Sequence, residues 1–504
     1  MELTFWQTAG YYFENIIFVY GIALLSLYAL LAILSFIGIR RFQKRNTYVD
    51  YTNILQSPLA PGISIIAPAF NEAVTIIQNV RSLLTLNYPR YEVIIINDGS
   101  TDETLEKLIK EFELTEVDFA YNPRIQTQPV KRIFKSQNTA YDKLLVVDKV
   151  NGKCKADGAN AGINASVFDY FLCTDVDCII EKDTLLKMIK PFMDEQNSTI
   201  KLMGDPCNEC GYQHIIESNQ RVIATGATLR VANSCEIEEG VITRIRPPKK
   251  LIPRFQELEY IRSYVLGKMG WSMMNCVPNI SGGLGLFDKD IAIKAGGYDH
   301  KSFAEDMDIM TRMCMYMIDN GKKYAIRYIP TTQCWTEGPP NLQVFSRQRT
   351  RWGRGLAQIM KIHKKAILNP KYGRLGMVVF PYNLFFELLA PIIEFAGILY
   401  YTYIIITGQI NWQFALTLLL FIYLYSIMIS TFAILWDQLT YRYYNSWQEV
   451  VGLSLMAFLE PILYHPLIVF FALRGYVLFI FSTKQKWGNM QRQGFAKKTT
   501  VQAA

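Results

Sequence analysis

The chain has 504 residues, of which 50% are hydrophobic, 13% aromatic and only 19% charged. That balance is too apolar for an ordinary soluble enzyme, and the length exceeds one ordinary domain. The formal net charge of +8 raises nucleic acid as a partner, but no helix-turn-helix, RNA-recognition or zinc-finger pattern accompanies it, so nucleic acid is not expected.

The first element is apolar. Residues 16–39 carry no charge and, at about 1.5 Å per residue, reach across a bilayer core. A cleaved leader has a basic residue before a shorter apolar run. Here Glu2 and Glu14 precede the run, and Arg40, Arg41, Lys44 and Arg45 follow it. The positive-inside rule then predicts residues 1–45 as an anchor with its N-terminus outside and the next segment in the cytoplasm.

Residues 46–340 read as soluble α/β sequence. A buried-strand run at 63–70 is followed by helical spacing over 72–84. A second continuous apolar strand, 93–98, ends in Gly99-Ser100-Thr101-Asp102, where Ser100 or Thr101 is placed to cap a helix over 102–112. A third strand, 168–174, closes on Asp175-Val176-Asp177. Strand and helix in alternation predict a doubly wound sheet with a ligand at the carboxyl ends of its strands. Two carboxylates one residue apart face the same side of an extended chain and suit Mg²⁺ or Mn²⁺ beside a diphosphate. Alone the pair is weak, because most such pairs are solvated turn residues.

Nine cysteines at uneven spacing make no disulfide framework. Cys207 and Cys210 form a lone pair without a second at zinc-site distance, and read as reduced thiols in a loop. The four histidines lie far apart and suggest no metal site. Residues 207–252 look like an insertion with no assigned role. Residues 341–374 form a basic amphipathic stretch, with Arg347, Lys361, Lys364 and Lys365, suited to a membrane surface.

Three further apolar stretches follow, at 377–407, 412–436 and 450–481, within a predicted membrane region of 375–483. Pro381 and Pro391 can break the first, and Pro461 and Pro466 the last. Three crossings would leave the basic tail, 484–504, outside, whereas its lysines argue for the cytoplasm. A long stretch that splits, or lies partly in the interface, resolves the conflict. Glu387, Glu394 and Glu460 sit inside apolar stretches, where they either line a polar path or mark a membrane boundary.

Six pieces in order carry a resemblance: Ala67-Pro68-Ala69-Phe70-Asn71-Glu72, Asn97-Asp98-Gly99-Ser100, Lys155 to Asn160, Asp175-Val176-Asp177, Phe303-Ala304-Glu305-Asp306 and Gln348-Arg349-Thr350-Arg351-Trp352. Together they resemble the family 2 glycosyltransferases, in particular the membrane branch of cellulose, hyaluronan, chitin and poly-β-1,6-N-acetylglucosamine synthases. The resemblance implies a GT-A-type mixed sheet between membrane helices and an inverting transfer from a UDP-sugar to a glycan or glycolipid acceptor, in contact with membrane lipid. It implies Asp306 as the base, with Glu305 and Asp308 as rivals. Asp177, with Asp175, would hold the cation. Arg351 would face the diphosphate, Gln348 would help orient that region, and Trp352 would stack on the acceptor. Ala67, Glu72, Asp98, Lys155 and Asp175 would contact the donor, and Gly282, Gly283 and Glu305 the acceptor. Asp157 departs from the family pattern, which leaves its role open.

The expected product is a β-linked polysaccharide secreted through the chain's own helices at the inner (plasma) membrane, with room for an accessory membrane or periplasmic subunit. Single-sugar transfer to a lipid is the alternative enzyme, and an inactive scaffold or transporter the alternative class. No arginine-rich regulatory domain follows the helices, so cyclic-nucleotide control within the chain is not expected. Residues 487–494 read as an interfacial tail or a gating element.

Overall fold

A computed structural model describes residues 5–204, 220–238 and 240–481. Cys207, Cys210, the basic tail and residues 487–494 lie outside the described residues.

The strands are β1 (Ile63–Ala69), β2 (Tyr91–Asn97), β3 (Leu114–Glu116), β4 (Val130–Ser136), β5 (Leu144–Lys149), β6 (Tyr170–Thr174), β7 (Ile179–Ile180), β8 (Gln220–Val231), β9 (Glu236–Glu238), β10 (Val241–Arg244), β11 (Leu284–Asp288) and β12 (Lys323–Thr336). Ten of them form one sheet, in the order β3-β4-β5-β2-β1-β6-β11-β8-β12-β7, and β9 pairs with β10 in a separate hairpin. The centre β5-β2-β1-β6 is parallel, with Ile65 beside Val93 and Leu172. These strands are near-continuous apolar runs because both faces are covered. One face carries the helices Ile76–Leu84, Thr104–Glu111 and Thr184–Gly204, through Val80, Leu108 and Leu185. The other carries Lys155–Ala165 and Glu305–Asp319, through Ala159, Ile163 and Met310. Gly162 lets the helix Lys155–Ala165 lie against β1, since a Cβ there would fall 2.3 Å from Ile66 Cγ2.

Three local expectations are corrected. Neither Ser100 nor Thr101 caps the helix Thr104–Glu111. Ser100 Oγ accepts the Asn71 N–H, and the Thr101 N–H donates to Asn71 Oδ1, which holds Asn71 in its left-handed conformation (φ 56°). Asp102 instead accepts the Thr104 N–H at 3.0 Å. The stretch that read as an insertion contains β8, an interior strand between β11 and β12. The edge strand β3, its neighbour β4 and the central β5, between the second and third expected strands, were not foreseen.

Among the described residues, four helices are long and apolar enough to cross a membrane: Tyr12–Asn46, Leu375–Ile406, Trp412–Tyr441 and Trp447–Phe481. Of the two alternatives expected, the split into separate helices is not seen. The second and fourth each stay one helix, with π-helical turns at Leu375–Val379, Asn383–Leu388 and Glu460–Tyr464 near their prolines. A π-turn absorbs the lost backbone hydrogen bond without reversing the chain. Glu387 pairs with Tyr382, Glu394 with His465 at 2.8 Å, and Glu460 with Arg262 at 3.2 Å.

Two contacts lock the sheet to these helices. Arg230, at the end of β8, is buried between Glu257, 2.8 Å away, and Asp437 of the third apolar helix. The helix Leu342–Ile362 packs along His465–Phe481 closely enough that a Cβ on Gly475 would lie 2.5 Å from Thr350 O.

Candidate active site

Strand β6 ends at Thr174, so the next residues emerge at the carboxyl edge of the parallel centre. Asp175, Asp177 and Cys178 bring one ligand atom each within 4.8 Å of one another. The two carboxylates are hard oxygen donors that fit Mg²⁺ or Mn²⁺. Cys178 fits less well, because a thiol is a soft donor and these hard cations take oxygen ligands.

Lys155 opens the helix Lys155–Ala165 and reaches across the edge. Its Nζ lies 2.5 Å from Asp175 Oδ1 and donates to Gly282 O at 2.6 Å. Burial opposes the ammonium, but the Asp175 charge outweighs it and holds Lys155 above its ordinary range. Gly282 in turn donates its N–H to Asp306 Oδ2 at 3.1 Å. Thr174 Oγ1 anchors Gly283 O at 2.9 Å. Lys155, Cys173, Gly282, Tyr298, Glu305 and Asp306 line a small cavity.

The three carboxylates at the start of Glu305–Asp319 have separate environments. Asp306 is half-buried and opens on the cavity. Glu305 is buried, and desolvation together with the Asp306 charge raises its carboxyl, with Arg351 opposing. Asp308 is buried and committed to Arg312 Nε and His363 Nε2, each at 2.8 Å. Burial works against its charge, but the His363 hydrogen bond and Arg312 prevail and lower its carboxyl. Asp308 is therefore corrected from a candidate base to a structural anchor.

On Leu342–Ile362, Gln348, Arg351, Trp352 and Gly355 share one face, at i, i+3, i+4 and i+7. Gly355 presses that face onto Ala304, where a Cβ would lie 2.8 Å from Ala304 Cβ. Arg351 donates to Phe303 O at 3.3 Å, beside Glu305. Gln348 Oε1 is buried without a hydrogen-bond partner among the described residues. The indole of Trp352 is 36% exposed.

The predicted donor residues divide. Ala67 is corrected: it is 0% exposed, inside β1 between β2 and β6, and presents no surface to a ligand. Glu72 is half-buried in the turn after β1, its carboxylate accepting from Thr75 Oγ1 at 3.2 Å. Asp98 is buried, with Oδ1 engaged by Lys149 Nζ at 2.5 Å and the Gly152 N–H at 3.0 Å. Asp157 meets the same Lys149 at 2.5 Å, which gives the departure from the family pattern a structural role. Sequence reasoning missed Lys149, His363 and Tyr298. Only Lys149 carried a signal, a lysine ending an apolar run.

Residues 64–213 match the family described as Glycosyl transferase family 2, and residues 254–445 that described as Glycosyl transferase family group 2. The chain is 25% identical over 351 residues to a poly-beta-1,6-N-acetyl-D-glucosamine synthase of Staphylococcus epidermidis, covering 69% of this chain and 66% of that protein. It is 24% identical over 299 residues to the protein of the same name in Staphylococcus aureus strain COL, covering 59% of this chain and 55% of that protein. The chain thus spans between half and two thirds of the length of the curated relatives it matches. Among solved structures, the mannosyltransferase PcManGT from Pyrobaculum calidifontis, in complex with GDP-Man and Mn²⁺, is 15% identical with a TM-score of 0.45, over 92% of this chain and 100% of that one. Residues 1–349 of TarS from S. aureus, in complex with UDP, are 13% identical with a TM-score of 0.31, over 62% of this chain and 71% of that one.

Proposed function

This chain belongs to glycosyltransferase family 2, and on that premise we propose that it transfers a sugar from a UDP-sugar donor to a growing β-linked glycan, with inversion, at the cytoplasmic face of the plasma membrane. The observation that supports this most directly is the convergence of Lys155, Gly282 and Asp306 beside Asp175 at the carboxyl edge of the sheet. N-acetylglucosamine is the first donor sugar to test, prompted by the names of the relatives.

In this reading the acceptor hydroxyl gives its proton to Asp306 as its oxygen attacks the anomeric carbon, and the diphosphate departs with the bonding electron pair. Asp175 and Asp177 would hold a divalent cation, which would supply Lewis-acid stabilisation of that leaving group. Arg351 and Lys155 add fixed positive charge, and Gln348 helps orient that region. Gly282 and Gly283 let a sugar approach backbone, and Trp352 presents a flat apolar face for the acceptor ring. Glu72 and Asp98 shape the nucleoside end.

The positive charge after the first apolar helix supports a cytoplasmic sheet domain. The four apolar helices, with Glu387 and Glu394 among them, suit passage of the product through the membrane, with or without an accessory subunit. Purified protein in lipid, given a panel of UDP-sugars, tests the reading by UDP release and product size. A lipid-sized product moves the assignment to single-sugar transfer, and no release with any donor to the inactive scaffold.

A further inference from the structure

Between Gln348 and Arg351 lies a residue with no role so far. Arg349 is 5% exposed. Its Nη1 donates to Glu259 Oε1 at 2.7 Å, and its Nη2 to Glu259 Oε2 at 2.5 Å and to Tyr464 Oη at 3.0 Å. Tyr464 Oη completes the ring by donating to Glu259 Oε2 at 2.9 Å. A planar guanidinium held by a two-point carboxylate pair has its plane fixed. The Arg349 guanidinium carbon also lies 4.4 Å from the centre of the Trp352 ring.

The three partners come from three parts of the chain. Glu259 stands on Leu251–Ile261, which packs against the sheet, and Tyr464 on the π-turn Glu460–Tyr464 of the last apolar helix. Arg349 and Trp352 are three apart on Leu342–Ile362, so one guanidinium face meets the indole while the fork is held from behind. A tryptophan as exposed as Trp352 on a helix surface otherwise samples several rotamers.

We infer that Arg349 is the positioning residue for the acceptor platform, clamped by Glu259 and Tyr464 so that the Trp352 indole is pre-set to stack on an acceptor sugar. The inference rests on the reading of Trp352 as the acceptor-side residue. It adds that the platform's orientation is set jointly by the sheet domain and the last apolar helix.

The test measures half-saturation by a short β-linked N-acetylglucosamine oligosaccharide, with UDP-N-acetylglucosamine and Mn²⁺, alongside donor binding by calorimetry. Arg349→Met alone strands the Glu259 carboxylate, so Glu259→Gln/Arg349→Met, which removes both charges, is the working variant. It is expected to raise acceptor half-saturation about tenfold, near the upper worth of one stacking contact. Donor binding should stay unchanged, and Arg349→Lys should give no rescue because an ammonium lacks the fork. Adding Trp352→Ala to that variant should cost nothing beyond Trp352→Ala alone, since coupled residues are not additive.

Unchanged acceptor half-saturation in the double variant, or full additivity with Trp352→Ala, overturns the clamp. A Trp352→Ala variant with normal acceptor half-saturation overturns it too, while UDP release by the unaltered enzyme still upholds the transferase reading.

Discussion

Lys155 and Asp175 form a half-buried ion pair at 2.5 Å, and the same ammonium reaches Gly282 O at 2.6 Å. One cation therefore connects the expected metal carboxylate to the turn at Gly282, whose N–H donates to Asp306. Lys155→Met should release both and lower donor turnover about a hundredfold, the usual effect of removing one fixed donor from an active site. Steady-state UDP release checks this. Turnover within a factor of two of the unaltered enzyme would mean that the pair is only structural.

The carboxylates at Asp175 and Asp177 should make turnover depend on a divalent cation. Chelation with EDTA is expected to abolish UDP release, and Mn²⁺ or Mg²⁺ to restore it. Asp177→Asn should raise the Mn²⁺ concentration for half-maximal turnover at least tenfold, because a charged oxygen ligand is lost. Full turnover after exhaustive chelation would contradict the assignment.

Glu305 gives a pH-dependent stability prediction. Its folded carboxyl is raised by burial and by Asp306 above the unfolded value of about 4.3. An acid with a raised folded pKa costs stability as pH climbs from the unfolded value through the folded one. Glu305→Gln should therefore melt higher than the unaltered protein at pH 7, by about 1 °C for each 1 kcal/mol relieved, with the gap closing towards pH 4. Thermal unfolding across that range decides it, and a lower melting point at pH 7 would contradict the assignment.

Much of this was legible in the sequence, for identifiable reasons. Apolar runs set off by glycine, proline and charge mark both the strands β1, β2 and β6 and the four long helices, since burial and membrane thickness each demand continuous apolar sequence. Asp306, Lys155 and Gly282 stand in recognisable motifs, but their meeting at one point comes from chain crossovers that no local pattern records. β8 was hidden because Thr225, Gly226, Thr228 and Arg230 interrupt its apolar pattern, and each is buried or near-buried by partners far along the chain. His363 escaped notice because its partner Asp308 is 55 positions away. Ala67 was over-read: its motif is real, but exposure begins in part at Pro68 and is open at Phe70.

Arg230 illustrates the same point energetically. It is enclosed by Glu257 and Asp437, with Tyr443 stacked on its guanidinium at 4.4 Å. Arg230→Met should leave two buried carboxylates uncompensated and cost about 3–5 kcal/mol. Thermal unfolding in detergent is expected to show a large drop, whereas Arg221→Met, which removes a half-exposed side chain, should cost less. Equal losses in the two variants would contradict the account of how the sheet is tied to the third apolar helix.

The most direct measurement compares the unaltered enzyme with Asp306→Asn, in lipid with Mn²⁺ and UDP-N-acetylglucosamine, reading UDP release, product size and donor binding together. The account predicts that Asp306→Asn binds the donor normally but loses at least a hundredfold in UDP release, with no glycan formed. Turnover and product unchanged in Asp306→Asn, while the unaltered enzyme is active, would contradict Asp306 as the base and the mechanism built on it.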